Sequence, residues 1–238
     1  MPKIPSRILV EVAVDSIEDA LHAARIGAAR IEMCSRLDLD GLTPLRGDIR
    51  ELKKQLPPGV GIAAMVRPSP TPFTCDHDDF VRMQRQIGEM LEEGAGGIVF
   101  GILDDHSRID VARCRELLAC CGNAESVFHR AFDRTPDPIE ALDQLIDLGF
   151  TRLLTSGQAA SAASPPGIAM LARLVDHARG RIQILPGGGV RAANVLSILN
   201  ATGCTQAHSS CRITTPKGPR FEPRELASLL SVVRSEVS

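Results

Sequence analysis

Two glutamates, Glu11 and Glu32, stand in the apolar stretches "RILVEVAV" and "ARIEMCS". A carboxylate in such a segment costs free energy unless it is paired or used. Two neighbouring carboxylates in unlike surroundings can have their pKa values pushed apart, which equips them for acid–base work. "SVFHRAFD" raises the same question with His129 and Asp133, and "QAHSS" with His208 and Ser209. The two histidines are candidate general acids or bases, or metal ligands. Arg67, closing "GIAAMVRP", suits either compensation of the glutamates or a clamp on an anionic substrate group. Ser156 closes "RLLTSG". Gly187 and Gly188 belong to "LPGGGV", whose backbone N–H groups near a helix start can cradle phosphate or carboxylate. The catalytic candidates are therefore Glu11, Glu32, His129 and Asp133; the substrate-binding candidates are Arg67, Ser156, Gly187, Gly188, His208 and Ser209. Each has a plainer reading: a buried ion network for Glu11, Glu32 and Arg67, a structural strand residue for each histidine, a tight turn for the glycines. A Ser156–His208 hydrolase lacks the G-x-S-x-G elbow that would support it.

These residues need elements to hold them. Eight short apolar runs read as strands over 7–14, 29–35, 61–68, 96–103, 126–133, 152–157, 181–188 and 206–210. Amphipathic helical patterns lie between them, among them "SIEDALHAARIG" with Ser16 as N-cap, Asp19 at the capping-box position and Gly27 as its stop. Helix, glycine, short spacer and strand recur in "IGAARIEMC", "EGAGGIVFG", "LGFTRLLTSG" and "TGCTQAHSS", the punctuation of repeated βα units. Eight such units predict an α/β fold, a single (β/α)8 TIM-type barrel spanning residues 1–238 as one domain. No G-x-G-x-x-G follows the first strand, so no nucleotide cofactor is expected. The barrel places a site at the C-terminal strand ends, where Arg67, His129, Asp133, Ser156, Gly187, Gly188, His208 and Ser209 fall, with Glu11 and Glu32 inside strands one and two. Glu32 and Cys34 share a strand face. His129, Ala131 and Asp133 do so too if their strand stays extended, with Arg130 then pointing toward the helical layer. "TTPKGPRFEPRELASLLSVV" reads as a loop and a final helix.

Composition bounds the partners. At 238 residues, 44% hydrophobic and 24% charged, the chain is of ordinary globular make-up. A net charge of −2 gives no footprint for nucleic acid or an anionic membrane, and the absence of Trp and Tyr leaves no stacking platform for bases. A small molecule or a metal ion is the expected partner. Seven cysteines with no CxxC pair argue against a zinc ribbon and a disulfide framework. No signal-like leader and no apolar stretch long enough to span a bilayer is seen, so the cytoplasm is the expected location and no membrane is involved.

The motifs "EVAVDSIEDALHAARIGAARIEMCS", "GLTP", "VRP", "FHRAFD", "LLTSG", "PGGGV" and "HSS" resemble, in order and spacing, the CutC family, from about Ile8 to Arg212. The resemblance implies a TIM barrel, a cytoplasmic location, homo-oligomers and a role in copper homeostasis with proposed copper binding. Matching positions are Glu11, Glu32, Cys34, Arg67, His129, Arg130, Asp133, Ser156 and His208, with Cys34 as the metal candidate. Three departures stand out. Ala13 occupies the place of a usual cysteine, "RPSPTPF" replaces "RPRGGDF", and "LTPL" replaces "LTPS". Cu(I) prefers soft thiolate and thioether ligands, and Ala13 removes the natural thiol partner of Cys34. The functional alternative is a TIM-barrel lyase or isomerase acting on a small anionic or phosphorylated carbonyl or sugar-like metabolite; a third is a non-catalytic scaffold working through its oligomer interface.

Overall fold

The strands form wherever apolar side chains alternate between a barrel interior and a helical coat. The computed structural model describes residues 8–216 and 218–235. Its main sheet has eight strands: β1 (Leu9–Val14), β2 (Arg30–Met33), β3 (Gly61–Met65), β4 (Gly97–Phe100), β5 (Glu125–Phe128), β6 (Arg152–Thr155), β7 (Gln183–Pro186) and β8 (Gln206–Ser209). Every ladder is parallel, in the order β7-β6-β5-β4-β3-β2-β1-β8. The helices are α1 (Ile17–Ile26), α2 (Arg46–Gln55), α3 (His77–Glu92), α4 (Val111–Cys121), α5 (Pro138–Leu148), α6 (Pro165–Ala178), α7 (Val195–Thr202) and α8 (Pro223–Ser235). This is the expected (β/α)8 barrel. The α1 boundaries follow their signals: Ser16 accepts a hydrogen bond from the Asp19 N–H, and Gly27 ends the helix at φ 117°.

Apolar side chains fill two compartments. Val12, Ile31, Ala64, Ile98, Phe128 and Leu153 point outward into the layer shared with the helices. Cys34, Ala63, Met65, Val99, Val127, Leu154 and Leu185 form a smaller cluster inside the barrel. Below that cluster lies a polar floor made from the first residues of five strands. Arg152 donates to Glu125 (3.1 and 3.3 Å) and to Gln183 (3.3 Å). Gln206 also donates to Gln183, Arg30 donates to Gln206 (2.9 Å), and Arg30 pairs closely with Glu11. The floor thus continues upward as a chain of polar contacts to the first glutamate. β7 and β8 meet at the two ends of the sheet without a backbone ladder among the described residues. The Gln206–Gln183 bond and a bond from Ser209 Oγ to the Val190 carbonyl (2.8 Å) cross that seam.

Two expectations are corrected. β5 does not run to 133; it stops at Phe128, and Arg130–Arg134 wind into a 3-10 helix. His129 caps that turn by accepting the Ala131 N–H on Nδ1 (3.2 Å). His129, Ala131 and Asp133 therefore do not share a strand face, and Arg130 turns toward the barrel mouth rather than the helical layer. The segment before α8 is not a plain loop: Arg212–Thr215 (β9) and Gly218–Phe221 (β10) pair as an antiparallel hairpin.

Candidate active site

A cavity of about 490 Å³ opens at the C-terminal ends of the strands. Glu32, His129 and His208 line it from β2, the end of β5 and β8. Asp133, Gly188 and Ser209 line it as well, beside Ala13, Met65, Phe73 and Leu154. Glu11 lies directly beneath, fully buried. Its Oε1 meets His208 Nδ1 at 2.7 Å, and its Oε2 takes the Arg30 guanidinium. Glu11, Glu32 and His208 each offer a ligand atom within 4.8 Å of the others.

These neighbours drive the two glutamates apart. Burial alone would push the Glu11 carboxyl up, but the His208 hydrogen bond and the charges of Arg30 and His208 outweigh it and hold the group down at about 2. Glu32 is equally buried and lacks such a hydrogen bond: its Oε2 has no partner among the described residues. Burial raises it, the Glu11 charge adds to the rise, and His208 and Arg30 offset this only in part, so it stands at about 7. His208 is pulled in the opposite sense by burial, yet Glu32 and Glu11 raise it. The lower glutamate is thus a fixed anion, and the upper one can take and return a proton near neutral pH.

His129 behaves differently. Burial, then the charge of Arg67, pushes it down to about 3. Because Nδ1 accepts the Ala131 N–H, the neutral ring carries its proton on Nε2, and that N–H has no acceptor among the described residues. A neutral imidazole with an unused N–H at a cavity is suited to polarising a carbonyl oxygen. The Phe73 ring, 5.0 Å from the His129 ring, walls it on one side.

Other candidates serve the architecture. Asp133 reaches the cavity, but its oxygens already accept from Thr155 Oγ1, the Ser156 N–H and Oγ–H, the Gln158 N–H and Arg130. Asp133→Asn would set an amide NH₂ against those donors. It is expected to cost about 2 kcal/mol in urea unfolding, whereas a chemical role would show as lost activity at unchanged stability. Ser156 Oγ is held between Asp133 and the Ala159 carbonyl. Arg67 spends its terminal nitrogens on the carbonyls of Leu39, Gly41 and Thr71 and lies over Phe73, away from the main cavity. Gly187 is dictated by packing, since a Cβ there would sit 2.4 Å from Leu154 Cδ1. The sequence reading passed over Arg134, Arg191 and Arg212, all of which line the cavity. Their signal was position, just beyond the ends of β5, β7 and β8.

Cys34 lies inside the barrel with its Sγ donating to the Val14 carbonyl at 3.3 Å, and it does not line the cavity. Burial, then the charge of Glu32, drives its thiol strongly upward, so it stays protonated. Among the described residues, the one cluster able to hold a metal ion is Glu11, Glu32 and His208, an oxygen and imidazole set. Such a set does not fit Cu(I), which favours thiolate. Its Glu11 member is moreover already committed to Arg30.

Fold and site together define a (β/α)8-barrel protein with two buried glutamates and two buried histidines at a cavity over the C-terminal strand ends. The CutC family matches over residues 8–213, and this chain belongs to it. A CutC family protein from Treponema denticola is 42% identical over 201 residues, covering 84% of this chain and 80% of that one. The human copper homeostasis protein cutC homolog is 39% identical over 230 residues, covering 97% and 83%. The crystal structure of CutC from Streptococcus agalactiae superposes with a TM-score of 0.78 at 33% identity, covering 85% of this chain and 98% of that one. A phosphoribosyl anthranilate isomerase from Thermus thermophilus (TM-score 0.59, 14% identity, 96% and 99% covered) shares the fold alone.

Proposed function

We propose that this CutC family member is a proton-transferring enzyme, an isomerase or lyase acting on a small anionic carbonyl compound. The observation that carries the reading is the pair of buried carboxylates, Glu11 held as an anion and Glu32 lifted to about 7 beside the cavity. Glu32 takes a proton from the carbon next to the substrate carbonyl, and the electron pair moves onto the carbonyl oxygen. The His129 Nε2–H stabilises the charge that develops there. Glu32 then returns the proton to the adjacent carbon or oxygen. Glu11 keeps His208 in place and favours its charged form, which steadies the Glu32 anion while it forms. The test is solvent-deuterium incorporation into a panel of anionic hydroxy-ketones and keto acids in D₂O, followed by proton NMR. Exchange at carbon in one member of the panel, rising with pH through about 7, supports the reading; exchange no faster than in buffer across the panel counts against it.

Copper handling through Cys34 is the reading that the relatives' names favour. The lone protonated thiol and Ala13 leave it second. Anaerobic Cu(I) competition against a strong chelator is expected to give weak binding, equal in wild type and Cys34→Ala. Stoichiometric binding lost in the variant would restore copper to first place. We further propose a cytoplasmic location, supported by seven unpaired cysteines, which suit a reducing compartment. No helix among the described residues is long and apolar enough to cross a membrane. A homo-oligomer, implied by the resemblance, is read out by light scattering.

A further inference from the structure

Beside the acid–base pair, the cavity wall is continued by the loops after β7 and β8, β8 being the barrel neighbour of β1. Both carry donors that nothing in the protein uses. The amide N–H groups of Gly188, Gly189 and Val190 have no acceptor among the described residues. Neither do the N–H and Oγ–H of Ser210, across the seam from them. Backbone donors left unpaired in a concave wall are costly unless water or a ligand meets them.

Three features make this a built surface rather than a slack turn. Gly188 and Gly189 are both in the left-handed region, at φ 89° and 80°, a backbone path that glycine alone takes without cost. Side chains are excluded there: a Cβ on Gly189 would lie 2.5 Å from Ser161 Oγ, and one on Gly188 would lie 3.1 Å from Arg130 Cζ. The wall is also positive. Arg130, Arg134, Arg191 and Arg212 line the cavity, against Glu32, Asp40 and Asp133. Asp133 is already saturated by its own donors, and Glu32 is the proton carrier. Arg191 braces the loops through Val190, Ser209 and Arg212, lending charge from behind. Arg134 is exposed and has no partner among the described residues.

We propose that the loops after β7 and β8 form a phosphate cradle, so that the substrate is a phosphate monoester of a small carbonyl compound. This rests on the proton-transfer reading for the reacting end and adds the identity of the anchoring end. Four backbone amides, one hydroxyl and nearby guanidinium groups match the three terminal oxygens of a phosphate monoester dianion. A carboxylate has two oxygens and would leave several of those donors unmet. Loops after strands seven and eight are also where (β/α)8 barrels often hold phosphate.

The experiment is a titration of the protein with inorganic phosphate, read by calorimetry, beside a parallel titration with malonate. Saturable phosphate binding is expected. Arg134→Ala and Ser210→Ala should each weaken it by about tenfold, the scale of one charge-assisted or well-placed hydrogen bond. Equal affinity in wild type and both cradle variants, no saturable binding, or malonate binding as tightly as phosphate would each overturn the cradle. Those outcomes leave the proton-transfer reading to its own deuterium test. Arg134 is exposed, so its variant keeps the proposal testable even if Ser210→Ala folds poorly.

Discussion

Glu32→Gln is expected to reduce deuterium incorporation into the responsive substrate by at least about 100-fold, the lower range for loss of a positioned general base. Glutamine fills the same space and offers the same acceptor, but it cannot take a proton. The control is stability, and its sign follows from the direction of the shift. The folded-state carboxyl is raised from its ordinary value to about 7, so the folded protein holds a proton that the unfolded chain has released. Stability from this group is fully present below the unfolded value and is lost as pH rises through about 7. The amide variant escapes that loss, so urea midpoints at pH 8 should be equal to wild type or higher. His129, down at about 3, is neutral in the fold but takes a proton in the unfolded chain below its ordinary value, so it opposes the Glu32 slope at lower pH; comparing variant with wild type at one pH cancels it. A variant that unfolds easily at pH 8, or that retains exchange, would remove Glu32 from its proposed role.

The second large effect belongs to a residue that touches no substrate. Arg30→Met should destabilise the protein by about 3–5 kcal/mol, the usual cost of removing one member of a buried ion pair. Arg30 is 5% exposed, and its guanidinium joins Glu11 to Gln206. Methionine occupies most of the volume but leaves a fully buried carboxylate leaning on His208 alone. Adding Glu11→Gln should recover part of the loss, since the uncompensated charge disappears while an acceptor for His208 remains. Urea unfolding of the single and double variants measures both terms. A single-variant cost under about 1 kcal/mol would show that the polar floor does not set the state of Glu11.

Period-two alternation carried the strands, all eight of which were legible because each buries one face in the barrel and the other under helices. Their ends were overdrawn, since Val66 and Ile102 remain buried after the ladders stop. α2 went unmarked because it buries little beyond Ile49 and Leu52 in an otherwise charged segment. Glu11, Glu32, His129 and His208 could be placed together from strand register alone. Arg67 and Ser156 could not be separated from them, because their partners are loop atoms whose path no strand pattern encodes. Asp133 misled for a related reason: a 3-10 turn, not a strand, delivers it to the β6 end. Arg30 shows the complementary limit. Its position at the start of β2 suggested nothing, yet together with His208 it holds the charge of the first glutamate.

The seam between β7 and β8 gives the barrel a mechanical weak line. Elsewhere neighbouring strands are zipped by backbone hydrogen bonds, whereas here, among the described residues, the bonds that span the gap are made by side-chain donors. The donors of Gly188 to Val190 sit on one lip and those of Ser210 on the other. An anion gripping both would act as a clasp that closes the cylinder, so departure of the product and loosening of the wall become one event. Turnover would then be tied to breathing along a single line of the barrel, with the other seven joints standing as its frame.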